Sequence, residues 1–212
     1  MIVYPLPLTI LPDADLPKRR RGGDSVRMAN ATNDWTAELV EAIPNDGNRY
    51  EVIDGELFVT PAPGSKHQAA VGELLLLLQA YLRATRIGYA WVSPADIRYG
   101  RHTLVHPDVF VVPSVNGHRP SSWREISGLL LAVEVLSPSS KRADRDLKRR
   151  LYQRQGIPEY WMIDVNACRL ERCRSDDKHP DIVVGTLEWR PDQSHPPVVI
   201  DLPAYFSDVL DE

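Results

Sequence analysis

Cysteine is scarce in this chain, with only Cys168 and Cys173 among 212 residues. Two cysteines cannot build a disulfide-rich scaffold, and they fall short of the four ligands of a structural zinc site. Long apolar runs are missing as well, since no segment approaches the ~20 residues needed to cross a bilayer. Residues 1–11 lack the basic start and apolar block of a secretory signal. We therefore expect a cytoplasmic protein without a membrane segment.

An excess of basic residues is also absent. The 25 Lys and Arg are outnumbered by 29 Asp and Glu, which gives a net charge of -4 and argues against coating nucleic acid through bulk charge. The hydrophobic share of 43% and the charged share of 25% are ordinary for a globular protein, and they exclude disorder or a coiled coil for the whole chain. The length suits one domain, or one domain with a tail, at roughly 150 residues per domain.

Residues 1–30 differ in composition from the rest of the chain. They contain four prolines, the basic run Lys18-Arg19-Arg20-Arg21 and the pair Gly22-Gly23, with no helical or strand period. We predict a flexible N-terminal tail over residues 1–30 and a single domain over residues 31–212. The basic run is either solvated tail or an arm that touches nucleic acid, and we assign it no function.

Hydrophobic periodicity and turn residues predict helices and strands in the remaining chain. A short helix is expected after an N-cap at Asn33 or Asp34, and a hairpin is expected to turn at Asp54-Gly55. Helices are predicted from residue 67 to about residue 85 and over residues 141–155. Strands are predicted over residues 90–99, 104–112, 129–136, 159–165, 168–174, 182–189 and 198–202. This pattern indicates an α/β or α+β fold with a central mixed β-sheet flanked by helices.

Two carboxylates interrupt strands that are otherwise apolar. Asp108 lies within residues 104–112, and Glu134 lies within residues 129–136. Burying an ionised carboxylate without a partner costs several kcal/mol or forces the group to take up a proton. Either a buried ion pair with an arginine or a metal site would provide that partner, and these strands alone leave both open.

Two neighbouring stripes run along the helix predicted after Glu134, and the first of them would face the sheet. On a 3.6-residue period the apolar stripe contains Ala143, Leu147 and Leu151, and the polar stripe contains Asp144, Lys148 and Tyr152. Lys148 therefore lies at the shoulder of the buried face. It can bury its stem and present its ammonium to the carboxylates, or it can stay in solvent and pair with Asp144 at i, i+4.

Basic residues are concentrated on this helix. Residues 140–155 hold seven of them against Asp144 and Asp146, in a protein whose overall charge is negative. Acids and a lysine beside a basic helix suit a reaction on a polyanion, because phosphate contacts supply position and much of the affinity. A plain solvated basic face is the alternative.

Several segments carry a resemblance to a known family. They are Tyr50-Glu-Val-Ile-Asp-Gly-Glu-Leu57, a proline-rich turn leading to His67, Pro107-Asp108-Val, Val133-Glu134-Val-Leu-Ser-Pro138, Asp144-xxx-Lys148-xxx-Tyr152, Gly156-Ile-Pro-Glu-Tyr-Trp161 and Ile163-Asp164. In order and spacing they resemble the Uma2 family of the PD-(D/E)XK nuclease superfamily, over roughly residues 35–210. The resemblance implies a restriction-endonuclease-like fold.

The chain departs from the superfamily pattern at one position. Pro107-Asp108 and Glu134 match it, but Leu136 stands where the pattern has lysine. The resemblance suggests that the lysine has moved to the following helix, as in several branches of the superfamily, which makes Lys148 the candidate.

The function implied by the resemblance is a Mg²⁺-dependent DNA endonuclease that hydrolyses phosphodiester bonds, with Mn²⁺ as a substitute ion. Asp108 and Glu134, with a main-chain carbonyl near Val135 or Leu136, would bind the metal through oxygen ligands. Lys148 would orient the attacking water or stabilise the transition state.

Glu51 and His67 stand where the resemblance places active-site neighbours. The alternative for Glu51 is a cross-strand charge pair, and the alternative for His67 is a helix N-terminal or core histidine. Two further functions stay open: a nuclease-fold protein that binds nucleic acid or a protein partner without cutting, and a carboxylate enzyme acting on another phosphorylated or glycosidic substrate. A homodimer would suit a protein that cuts duplex DNA.

Overall fold

A computed structural model of the chain describes residues 34–121, 126, 128–138 and 140–211. The predicted tail, residues 1–30, and the candidate N-cap Asn33 lie outside the described residues. The strands are β1 (Arg49–Ile53), β2 (Glu56–Thr60), β3 (Gly88–Val92), β4 (Ile97–Arg98), β5 (Leu104–Val105), β6 (Val109–Pro113), β7 (Leu131–Val135), β8 (Glu159–Asp164), β9 (Arg169–Arg174), β10 (Asp181–Val183), β11 (Thr186–Trp189) and β12 (Val198–Asp201). The helices are α1 (Ala37–Glu41), α2 (Ser65–Thr85), a π-helical turn (Ala143–Lys148), α3 (Arg149–Arg154), a 3₁₀ turn (Val165–Ala167) and α4 (Leu202–Leu210).

A six-stranded mixed sheet forms the centre of the fold, in the order β10-β9-β8-β7-β6-β3. β7 and β8 are parallel, and the other neighbours in this sheet are antiparallel. A four-stranded sheet has the order β2-β1-β5-β4, and β11 pairs with β12. The mixed sheet with helices and the hairpin turn at Asp54-Gly55, where both residues have positive φ, confirm the sequence prediction.

Side chains on alternate positions of the central strands face two different cores. Val109 and Val111 of β6 join the core formed with α2 and α4, whereas Phe110 and Val112 join the core formed with α3 and the four-stranded sheet. In β7, Ala132 belongs to this second core. Glu134 follows Ala132 by two residues and therefore points to the same face of the sheet.

Several predicted strands are shorter than expected or divided. The strand predicted over residues 104–112 separates into β5 and β6 around Pro107, which has no N–H to donate to a ladder. β5 pairs with β1 and β4, while β6 enters the central sheet. The predictions over residues 90–99 and 182–189 each prove to be two strands as well.

The helix prediction is corrected near both ends of the described residues. α1 is capped by Thr36, whose side chain accepts from the N–H of Leu39, and not by Asn33 or Asp34. α4 is absent from the prediction, although Asp201 caps it by accepting from the N–H of Ala204 at 3.1 Å. Among the described helices, none is long and apolar enough to cross a membrane.

Candidate active site

A cavity of about 220 Å³ opens between β1, the start of α2, the end of β7 and the π-helical turn. Every side chain that the sequence analysis singled out for catalysis lines this cavity: Glu51, His67, Asp108, Glu134 and Lys148. The five residues come from five different parts of the chain, and only the tertiary structure brings them together.

Asp108 and Glu134 lie side by side on one face of the central sheet. In the antiparallel pairing of β6 with β7, Val109 stands opposite Val133. The next position of this register brings Asp108 opposite Glu134, and opposite residues of an antiparallel pair share a face. Both carboxylates are buried, with 3% and 2% of their residue surface exposed.

Three donors surround the Asp108 carboxylate. Arg49 Nη1 donates to Oδ1 at 2.7 Å, and the N–H of Val135 donates to Oδ2 at 2.9 Å. His67 Nε2 lies 3.0 Å from Oδ2. Burial opposes ionisation, but the hydrogen bond of His67 and the charge of Arg49 outweigh it and lower the pKa of Asp108 to about 2. Asp108 is therefore ionised at neutral pH.

Lys148 is enclosed by acids and is only 3% exposed. Its Nζ lies 2.8 Å from Glu51 Oε2, 2.9 Å from Glu134 Oε1 and 3.5 Å from Asp144 Oδ1. Burial alone would lower the pKa of this amine, but the charges of Glu134 and Glu51 raise it above its ordinary value. The alternative of a solvated lysine paired with Asp144 alone is wrong.

Glu51 and Glu134 share the Lys148 ammonium but differ in their other partners. Glu51 Oε1 accepts the N–H of His106 at 2.7 Å, and Lys148 together with His106 lowers the pKa of Glu51 despite its burial. Glu134 Oε1 accepts from the Tyr152 hydroxyl at 3.2 Å. Burial raises the pKa of Glu134 well above its ordinary value in spite of Lys148. The cross-strand alternative for Glu51 is thus not observed, because its contacts go to Lys148 and His106.

The helix carrying Lys148 begins with a π-helical turn, which the sequence analysis treated as regular α-helix. A π turn holds an extra residue relative to an α turn and so changes which side chains face the sheet. The polar stripe of Asp144, Lys148 and Tyr152 is fully buried, whereas Leu147 is only half-buried. Such turns occur frequently at functional sites.

Asp144 is a buried acid with weak compensation. It is 1% exposed, Lys148 Nζ lies 3.5 Å from its Oδ1, and the Ser140 side chain also acts to lower its pKa. Burial raises the pKa of Asp144 to about 6, with Lys148 opposing the shift. At pH values between 3.8 and about 6, Asp144 is therefore mostly protonated in the folded state and mostly ionised in the unfolded state.

This raised pKa predicts a pH-dependent gain in stability for Asp144→Asn. The contribution of Asp144 to the free energy of unfolding should fall as the pH rises from 4 to above 6, and the variant should lack this contribution. Relative to the wild type, the free energy of unfolding of the variant should therefore increase by about 1–3 kcal/mol over that pH range. Urea unfolding at a series of pH values measures this difference. Asp146→Asn, at an exposed neighbouring position, is the control. A difference that does not vary with pH contradicts the prediction.

Arg49 lines the cavity and binds Asp108, but it was not predicted as a site residue. The available signal was its position two residues before Glu51 in β1, since side chains at i and i+2 of a strand share a face. His106 was missed too, and it acts here through its main-chain N–H, which no side-chain pattern reveals.

The buried charges of the site suit a divalent cation. Four buried carboxylates, those of Glu51, Asp108, Glu134 and Asp144, face the cations of Lys148 and Arg49. Carboxylate oxygens are the ligands that Mg²⁺ prefers. Within the described ranges, no three His, Cys, Asp or Glu side chains already form a group able to hold an ion; lysine and arginine bind the acids instead.

Comparison with known proteins agrees with this architecture. The model of the Uma2 family, described as "Putative restriction endonuclease", matches residues 37–202. A crystal structure of a putative nuclease of the DUF820 group from Anabaena variabilis superposes with a TM-score of 0.66 at 17% identity, covering 82% of this chain and 99% of that chain. No curated protein matches the sequence.

The structural comparison supports the fold, and the family match supports the family membership. At 17% identity the structural likeness shows that this chain has a nuclease fold. Restriction-endonuclease-like proteins usually need a divalent metal ion, in keeping with the charge excess of the cavity. The family match spans most of the chain, including every side chain of the site. On this match and this fold, the chain belongs to the Uma2 family of restriction-endonuclease-like proteins.

Proposed function

We propose that this protein is a DNA endonuclease that hydrolyses phosphodiester bonds with the help of Mg²⁺, for which Mn²⁺ can substitute. One observation carries the proposal. Two buried carboxylates, Asp108 and Glu134, lie opposite each other on neighbouring strands, and a buried amine lies 2.9 Å from one of them in the same cavity. This set of two acids and one lysine matches the chemistry that the PD-(D/E)XK resemblance implies.

Asp108 and Glu134 would hold the metal, with a main-chain carbonyl of Val135 or Leu136 as a further oxygen ligand. A Mg²⁺ ion held by these residues would lower the pKa of a coordinated water and neutralise charge on the phosphate. The ionised state of Asp108 at neutral pH supports its role as a ligand. Glu134 holds its proton more tightly, and the approach of a cation would favour its ionised form.

Lys148 would stabilise negative charge on the reacting phosphate or orient the attacking water. A preorganised donor of this kind contributes about 3 kcal/mol to the transition state. Glu51 contacts the same amine, with Oε2 at 2.8 Å from Lys148 Nζ, and would act as a positioning residue. His67 contacts Asp108 and would fix the orientation of that carboxylate.

DNA would reach the cavity along exposed basic residues. Of the basic residues on the helix, Lys141 and Arg145 pair with Asp164, so part of the predicted basic surface is neutralised. Arg142 and Arg150 are exposed, and the exposed Lys66 lines the cavity itself. Phosphate contacts from such residues would position the duplex without reading its sequence. A homodimer and a cytoplasmic location stay predictions.

The second candidate function is nucleic-acid binding without cleavage. It is favoured by the state of Asp108, whose two oxygens are already bound by Arg49, His67 and the Val135 N–H. These contacts use three of the roughly four lone pairs of the carboxylate, so a metal would have to take the remaining one or displace a partner.

Supercoiled plasmid separates the two candidates. The purified protein should nick the plasmid in the presence of Mg²⁺ or Mn²⁺, and nicking should cease when EDTA is added. Asp108→Ala should abolish nicking, while Asp181→Ala, which removes an exposed acid paired with Arg172, should leave it unchanged. Nicking that survives Asp108→Ala would indicate a contaminating nuclease, and binding without nicking by the wild type would favour the second candidate.

A further inference from the structure

Arg49 lines the cavity but has no assigned role in the proposed hydrolysis. Its Nη1 donates to Asp108 Oδ1 at 2.7 Å and to the carbonyl of His106 at 3.3 Å. Both bonds start from the same nitrogen. No bond to another described residue starts from Nε or Nη2, so most of the guanidinium fork is available to a ligand.

Arg49 also lies where two cavities meet. It lines the 220 Å³ cavity together with Asp108, and it lines a second cavity of about 510 Å³ with Tyr50, Gln68 and His106. Its side chain keeps 22% of its surface exposed, while its Asp108 partner is nearly fully buried. The second cavity therefore offers space beside Asp108 for the guanidinium.

A metal ion bound by Asp108 Oδ1 would share that oxygen with the Arg49 guanidinium. A cation bound by Asp108 Oδ1 would lie close to the Arg49 charge, and like charges at such separations repel strongly in a site of low dielectric constant. Binding of the metal therefore favours release of Arg49. A free guanidinium beside a cavity binds phosphate well, because its planar fork matches two phosphate oxygens.

We propose that Arg49 is a phosphate-binding residue that Asp108 holds until a divalent ion takes its carboxylate. The released guanidinium then binds a phosphate of the DNA strand at the junction of the two cavities. This inference rests on the proposed function, since it takes Asp108 as a metal ligand and DNA as the substrate. The Arg49 side chain thereby couples metal binding to substrate binding.

The first test is a calorimetric titration of the protein with Mn²⁺ in the absence of DNA. Arg49→Met removes the competing charge and should tighten Mn²⁺ binding by about tenfold. Arg49→Lys keeps the charge and should stay near the wild type. The control is Arg154→Met, which removes the arginine of the exposed pair with Asp54 and should leave Mn²⁺ affinity unchanged.

The second test measures the affinity for a short fluorescent DNA duplex by anisotropy, once in EDTA and once in Ca²⁺. In the wild type, Ca²⁺ should strengthen DNA binding, and Arg49→Met should lose most of this gain while changing little in EDTA. An equal loss in both buffers would assign Arg49 a fixed electrostatic role and overturn the proposal. Unchanged or weaker Mn²⁺ binding by Arg49→Met would overturn it as well.

The outcomes also separate this inference from the proposed hydrolysis. If the wild type fails to nick plasmid but Arg49→Met binds Mn²⁺ more tightly, the exchange at Asp108, in which a metal ion replaces Arg49, is supported. The proposed hydrolysis is then contradicted. If the wild type nicks plasmid and Arg49→Met leaves Mn²⁺ affinity unchanged, the hydrolysis is supported and the exchange is contradicted.

Discussion

Glu134→Gln should lower the rate of plasmid nicking by at least about 10²-fold, since losing one well-placed electrostatic partner of a transition state typically costs that much. The amide keeps the shape of the side chain, and its oxygen can still accept from Lys148 and Tyr152. Without the negative charge, the amide oxygen would bind a divalent cation more weakly than the carboxylate does. The measurement is the initial rate of conversion of supercoiled to nicked plasmid at saturating Mg²⁺.

Folding should be unaffected by Glu134→Gln, which makes the activity loss interpretable. The Lys148 ammonium keeps Glu51 at 2.8 Å and Asp144 at 3.5 Å as charged partners, so the neutral amide does not leave it without compensation. The matched control is Glu159→Gln, at the start of β8 in the same sheet, where the carboxylate accepts from Trp161 Nε1 at 2.8 Å. Comparable nicking by wild type and Glu134→Gln would remove Glu134 from the proposed metal site.

Lys148→Met should lower the free energy of unfolding by about 3–5 kcal/mol near pH 8, as expected when one partner of a buried ion pair is removed. Methionine fills a similar volume, so the loss would report charge more than packing. The ammonium serves three buried acids at once, and its removal leaves Glu51, Glu134 and Asp144 without a compensating cation. Chemical denaturation with urea measures the change.

The loss caused by Lys148→Met should be smaller at pH 5 than at pH 8. Without the ammonium, burial raises the pKa of the three acids above their unfolded values of 3.8 for Asp and 4.5 for Glu. The folded state then holds protons that the unfolded state has released, so its stability is greatest at low pH and falls as the pH rises.

The control for this experiment is Lys141→Met. Lys141 also pairs with a buried acid, at 2.8 Å from Asp164, but its own side chain is 42% exposed. An exposed ion pair contributes less than about 1 kcal/mol, so this variant should remain close to the wild type at both pH values. A loss of the same small size for Lys148→Met would contradict the enclosure of its amine by three acids.

The sequence alone determined the class of fold and the main candidates for the site. Acids within apolar strands signal a functional or paired carboxylate, because an uncompensated charge there is costly, and this rule found Asp108 and Glu134. Helical spacing then singled out Lys148. These inferences depend on short-range periodicity, which a sequence displays directly.

Only the tertiary structure decided the partners of these side chains. Arg49 and Asp108 are 59 positions apart, and Glu51 approaches Lys148 across nearly 100 positions, so no local pattern could have paired them. The π-helical turn escaped prediction because an extra residue in one turn leaves no mark on composition. Proline at 107 divided a predicted strand for a local reason, but the sheet that each half joined was settled by long-range packing. Periodicity determines which face of an element is buried, whereas charge pairing in the core depends on which elements meet.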